Sequence, residues 1–361
     1  MRRAAVAAVL SALVLCLPAL ASRARTEPAP DRLAAEIDRW AVFLRTNAST
    51  DENWTQVKQM SEPVLARAQS ALRDGRRLLA LQRLAALEGN LAASAYVQAR
   101  PAAAGDAAAF EAEWRRMGGV LHDRLAAPRG DALAAVSPAL VRAVGEAALP
   151  QARVYYDASL EYGRNTVPWS GLFYLGAAQA AGEVVDLCRS LSASTGKEPP
   201  PVRALSAEIE ALEGEVLAAY RPPAAIDSHG DFITTSAALK EARELDAAGL
   251  RYGALLRYLQ ASLRFAPLGP AVTTDPARLA ERLRELDVQL ASGSVDHSLG
   301  RLFLEIAQEA QAGASPSDRA IAAAIAGDVL PRYFAALAPA TPAPPQAEPR
   351  VTVTLVRWPY T

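Results

Sequence analysis

Gly249-Leu250-Arg251-Tyr252-Gly253-Ala254-Leu255-Leu256-Arg257-Tyr258 lines up without a gap on Gly75-Arg76-Arg77-Leu78-Leu79-Ala80-Leu81-Gln82-Arg83-Leu84. The glycine, the arginine two residues on, the Ala-Leu pair and the later arginine coincide. Each glycine falls between the end of one helical segment and the start of the next. The repeated object is therefore a helix, a tight turn and a helix.

Outward from these two stretches the helical signal continues. Asp31 is a capping residue ahead of Leu33, Ile37, Trp40 and Leu44, which share one face at three-and-four spacing to about residue 47. Helices are expected to residue 74, at 76–100, 106–126, 131–147, 150–163 and 168–191, then at 202–220, 234–248, 250–265, 276–291, 296–312 and 316–337. Asp275-Pro276 and Ser315-Pro316 each pair a capping side chain with a proline in the first turn. Gly196 and three consecutive prolines mark 193–201 as a linker between an N-terminal helical region (31–192) and a C-terminal one (202–337). The fold class expected is all-α: antiparallel helical hairpins forming an α-solenoid or a multi-helix bundle.

The hairpins resemble the tetratricopeptide repeat, a helix-turn-helix unit of about 34 residues. Gly249, Ala254, Tyr258 and Ala261 meet its pattern, with Ala242 and Leu245 in the preceding helix. Gly75, Ala80 and Leu84 do so too, after Ala68 and Ala71. Arg67 and Glu241 stand where the family usually has leucine, Leu87 replaces a small residue, and a copy around Gly182 is weaker. The resemblance implies a groove that binds a partner protein through Ser236, Leu239, Arg243 and Asp246. Its earlier counterpart would be Glu62, Leu65, Gln69 and Leu72.

The N-terminus sets the expected compartment. Arg2-Arg3, an apolar run from Ala4 to Leu17, Pro18 and Ala19-Leu20-Ala21 have the order of an export signal cleaved after residue 21. A retained anchor would need about 20 apolar residues, more than this run has. Lipidation at Cys16 is disfavoured by the bulky Leu15. The mature chain, periplasmic or extracellular, keeps only Cys188, which reads as a small buried hydrophobe rather than a nucleophile. The 361 residues carry 38 Lys+Arg against 39 Asp+Glu with no basic block, so nucleic acid has no electrostatic footprint.

At the other end, 338–350 is a Pro/Ala connector and 351–361 alternates like a strand, Val351-Thr352-Val353-Thr354-Leu355-Val356 ahead of Trp358 and Tyr360. Three fates are open to it: an unstructured end, a strap along its own helices, or a strand added to a partner with Trp358 and Tyr360 as anchors.

Little points to chemistry. There is no HExxH, GxSxG, phosphate loop or dinucleotide fingerprint. His229, between Asp227 and Asp231, reads as a solvated loop, and no cofactor or metal is expected. Glu208, Glu210, Glu213 and Glu215 read as a solvated helix face. Tyr155, Tyr156 and Tyr162 with Arg153 and Arg164, and Arg251-Tyr252 with Arg257-Tyr258, mix flat rings with forked donors, serving either as core and rim or as an interface. The expected function is a non-catalytic scaffold for protein–protein interaction, the alternative a hydrolase-like envelope enzyme of helical architecture.

Overall fold

The computed structural model describes residues 31–49, 52–126, 131–193, 196–221, 226–266, 268, 275–313 and 315–337. The expected signal segment and the tail bearing Trp358 and Tyr360 lie outside the described residues. Those described are all-α, with no strand among them and one isolated parallel bridge between Glu198 and Val295.

In chain order the helices are α1 (Arg32–Thr46), α2 (Glu52–Arg73), α3 (Arg77–Gln98), the short α4 (Pro101–Gly105), α5 (Ala107–Val120), α6 (Ala139–Ala148), α7 (Gln151–Asn165) and α8 (Pro168–Leu191). Then come α9 (Ser206–Ala219), α10 (His229–Ala247), α11 (Arg251–Phe265), α12 (Pro276–Ala291), α13 (Ser298–Ala312), α14 (Pro316–Ala324) and α15 (Leu330–Leu337). A π-helical turn, Ile325–Val329, joins the last two.

Local chemistry explains most boundaries. Asp31 accepts from the Leu33 and Ala34 amides at the start of α1, and the stripe Leu33, Ile37, Trp40, Leu44 is buried. Ser315 and Asp318 cap α14 reciprocally. The turns before α3 and α11 are the same object. Gly75 and Gly249 sit at φ +75° and +77°; Arg76 N donates to Ala71 O and Leu250 N to Leu245 O. That six-to-one bond with a left-handed glycine satisfies carbonyls the helix end would otherwise leave open.

Three expectations are corrected. The helix expected from residue 131 begins only at Ala139, since Pro138 disfavours helical geometry in Ser137. Proline at the first turn starts a short helix, α4, where only a break was expected. The stretch read as a loop at 227–231 contains the first turn of α10, where Tyr220 stacks on Phe232 (centroids 4.2 Å apart) and its hydroxyl meets His229 Nδ1 at 2.7 Å.

The hairpins α2/α3, α7/α8 and α10/α11 pack within themselves, but the helices between them do not follow chain order. α3 packs on α8, α6 lies against both α8 and α11, and α13 reaches α3 and α6. One buried apolar cluster consequently contains residues from Leu33 to Ala336, on both sides of the 193–201 segment. That segment is fastened to the body: Glu198 N donates to Ser294 O, and Tyr252 Oη to Pro200 O. Close crossings rely on small residues. A β-carbon on Gly176 of α8 would stand 2.6 Å from the Ala93 Cα of α3, too near for any side chain.

Three buried carboxylates pin these crossings. Glu146 of α6, fully buried, accepts from the Tyr252 and Gly253 amides at the start of α11, each at 2.9 Å, and from Arg142 Nε at 2.6 Å. Asp296 accepts from the Ala139 and Ser298 amides, serving two helix starts at once. Asp246 accepts from Leu205 N ahead of α9. Negative charge is favourable at helix N-termini, so these acids hold the architecture together. The stretch Pro316–Leu337 is long and apolar enough to cross a membrane by length and composition, yet half of its apolar window is buried in the protein. Within it Asp328 accepts from Ser262 Oγ and from Arg332 Nε.

Candidate binding cleft

Where α3, α6, α8 and α11 meet beside the start of α7, a cleft of about 340 Å³ opens. Most of its apolar lining is small: Ala85, Ala86 and Gly89 from α3, Ala147 and Ala148 from α6, and Ala177, Ala180 and Ala181 from α8, with the larger Val144, Val184 and Leu256 beside them. The alanines that let these helices approach one another leave nothing to fill the space above them. Polar groups form the rim: Gln82 and Asn90, Gln151 and Tyr155, and Arg257, Gln260 and Arg264 from α11. The last three are spaced i, i+3, i+7 and so share one helix face.

Arg257 Nη1 donates to Gln260 Oε1 at 3.1 Å, while its Nε lies 3.0 Å from Glu241 Oε2 but out of hydrogen-bonding line. Arg264 is exposed and makes one long bond, Nη1 to Thr234 O at 3.4 Å. The Tyr155 hydroxyl is pushed above its ordinary pKa by burial first and Glu241 second, with Arg257 opposing. No carboxylate lines the cleft among the described residues.

From Tyr155 a chain of ring contacts leads away along α7 and α8. Tyr155 and Tyr162 both face Tyr174, the latter stacked at 4.6 Å, and Tyr174 meets Phe173, which stacks with Trp169 at 5.6 Å. Trp169 and Phe173 wall a second cleft of about 400 Å³ with Trp54, Val57 and Val97, mostly apolar, with Asn53 and Gln98 on it.

The strongly displaced acid lies elsewhere. Glu88 projects from another face of α3, buried, its carboxyl pushed up to about 9 by burial and by the neighbouring Glu36 and Glu183, with Arg39 opposing. Burial, with Glu88 second, also pushes the Cys188 thiol up to about 12, which leaves it un-ionised and enclosed. Among the described residues no group of three His, Cys, Asp or Glu side chains is placed to hold a metal ion.

The residues implied by the repeat resemblance are placed as follows. Ser236 is half-buried, Leu239 buried, Arg243 exposed and paired with Glu213, and Asp246 buried and paired with Arg251. Leu239 and Asp246 are not at an open surface, and α9 lies against this helix with Ile209, Leu212 and Val216 buried. The acidic residues of α9 are not merely solvated: Glu208, Glu213 and Glu215 pair with Arg203, Arg243 and Arg332. In the earlier set, Glu62, Leu65 and Gln69 line a shallow depression against α1, and Leu72 is half-buried on the core.

Of the two Tyr/Arg stretches, Tyr155 and Arg257 meet in the cleft, whereas Tyr156, Tyr252 and Tyr258 are core. Tyr156 stacks on Trp114 at 4.9 Å and Tyr258 accepts from Arg332 Nη1 at 3.0 Å. Gln82, Gly89, Asn90, Gln151, Gln260 and Arg264 were not singled out by the sequence; the signal that could have found them is the alanine-rich face they border. No protein-family model, no curated protein and no solved structure matches this chain.

Proposed function

We propose that the chain is an exported, non-catalytic binding protein of the periplasm or cell exterior that holds a segment of another protein in the α3–α6–α8–α11 cleft. The observation that carries this reading is the composition of the cleft. Its alanine and glycine surface admits a backbone closely, its amide and guanidinium rim can satisfy peptide groups, and among the described residues no carboxylate lines it as a proton carrier. Its volume is near the lower end of about 300–1,000 Å³ typical of ligand sites, suited to a few residues of chain rather than a folded surface. In this reading the α2/α3 and α10/α11 hairpins are divergent tetratricopeptide-like units built into a multi-helix bundle. Their identical glycine turns support it. Trp358 and Tyr360 of the tail would supply a second contact with the partner.

Gly89 offers a plug. A β-carbon there meets nothing within 4 Å, and glycine inside a helix is less stable than most residues, so Gly89→Phe fills the cleft without straining α3. Mature wild-type and Gly89→Phe chains are compared as baits in envelope extract. A partner held by the wild type and lost on Gly89→Phe, with helical circular dichroism unchanged, supports the reading; the same partner on both baits overturns it. A bait ending at Pro349 reports separately on the tail.

A further inference from the structure

We propose that the cleft selects an acidic, extended polypeptide segment, two of whose carboxylates are received by Arg257 and Arg264. This rests on the binding role just proposed and adds to it the chemistry of what is bound. The two guanidiniums are the only charged groups lining the cleft among the described residues. Glu241, which pairs with Arg257 at the Nε side (3.0 Å to Oε2), does not line the cleft, and Arg257 Nη1 donates to Gln260 Oε1. Gln260 is a neutral amide and adds no counter-charge. Arg264 is exposed and spends a single N–H on the Thr234 carbonyl. Forked donors of this kind match carboxylates two bonds at a time.

The spacing points to the form of the segment. Seven residues of helix separate the two arginines, a rise of about 10.5 Å along α11. In a polyproline-II strand, residues i and i+3 return to the same face about 9.3 Å apart. Two glutamates at that spacing would therefore reach both arginines, with small residues between them against the alanine surface and backbone groups within reach of Asn90 and Gln151. A helix is a poorer occupant, since side chains about 10.5 Å apart along it need seven residues of chain.

The test uses the mature full-length protein and fluorescein-labelled Ala-Glu-Ala-Pro-Glu-Ala, with its Glu→Gln counterpart, followed by fluorescence anisotropy at low and high salt. The expected result is saturable binding of the glutamate peptide, at least about tenfold tighter than the glutamine peptide, and weakening as salt screens the pairs. Arg257→Gln with Arg264→Gln abolishes the discrimination, and Gly89→Phe abolishes binding, each with unchanged circular dichroism. Equal binding of the two peptides, lost on Gly89→Phe, overturns the charge selection while leaving the cleft as the binding site. Failure of the glutamate peptide to bind at about 1 mM overturns the proposal. So does tighter binding of a heparin hexasaccharide, which would make the ligand an acidic glycan.

Discussion

Replacing Glu88 by glutamine should stabilise the protein at neutral pH and leave it unchanged in mild acid. Glu88 is enclosed between α1, α3 and α8, with a single cation, Arg39, facing three carboxyl groups. Arg39 Nη2 lies 3.7 Å from Glu88 Oε1 and 3.7 Å from Glu183 Oε2, and pairs closely with Glu36. Burial is the largest cause of the upward displacement to about 9, and hydrogen bonding to Glu36 adds to it. In the unfolded chain the same carboxyl loses its proton near 4.5. Between those two values the folded state holds the extra proton, so stability falls as pH rises, by up to about 1.4 kcal/mol per unit. At pH 7 the accumulated cost is about 3 kcal/mol, which glutamine removes. Glutamine has the same shape and no titration. Urea denaturation of wild type and Glu88→Gln at several pH values between about 4 and 8 reads the Glu88, Glu36 and Glu183 cluster as a unit, because titrations outside it are common to both. The midpoints should coincide near pH 4.5 and separate progressively above it, by about 1 M or more at pH 7 for a slope of about 2–3 kcal/mol per molar. A midpoint difference independent of pH, or a variant less stable at pH 7, would refute the reasoning.

Other consequences follow from the same geometry. Glu146→Ala strands two amides of α11 and the half-enclosed Arg142, and should cost about 3–5 kcal/mol in chemical denaturation, with Glu146→Gln recovering at least about 1 of these. Equal losses in the two variants would contradict a capping role. Gly75→Ala and Gly249→Ala each place a β-carbon in the left-handed region and should each lose about 1–2 kcal/mol, the same within error because the turns are alike. Gly176→Val should lower the thermal midpoint steeply or prevent folding, since its β-carbon meets the α3 backbone. Cys188 should stay unlabelled by a thiol reagent at pH 8 until denaturant is added; rapid labelling of the native protein would show that it is neither enclosed nor displaced upward.

The parts legible in the sequence are those written in local chemistry. Asp31, Ser315 and the prolines after capping residues mark helix starts, Gly75 and Gly249 mark turns, and the apolar stripe of α1 points inward as spaced. What was not legible is which face meets which. The alanines of α3, α6 and α8 look alike from any direction, so nothing along the chain announces that α3 packs on α8 or α6 on α11. Glu146 carries no local mark either, because the amides it receives lie more than a hundred residues away, and the local cap that Asp296 gives Ser298 says nothing of its second bond, to the Ala139 amide. The cleft was half visible: Tyr155 and Arg257 stood out as interface types, but the glycine and amides beside them gain meaning only from the helices brought against them. Likewise, Leu239 and Asp246 could be placed on one face of α10 from spacing alone, while their burial depends on elements far along the chain.

The measurement that bears most directly on the cleft as the partner site is site-specific photocrosslinking in envelope extract. A benzophenone side chain is placed at Gln260, on the cleft rim, and separately at Val288, which is 71% exposed on α12 and does not line the cleft. The account predicts a discrete protein adduct from position 260 that disappears when Gly89→Phe is added, and none from position 288. An adduct that survives the plug, or one formed from position 288 instead, would contradict it.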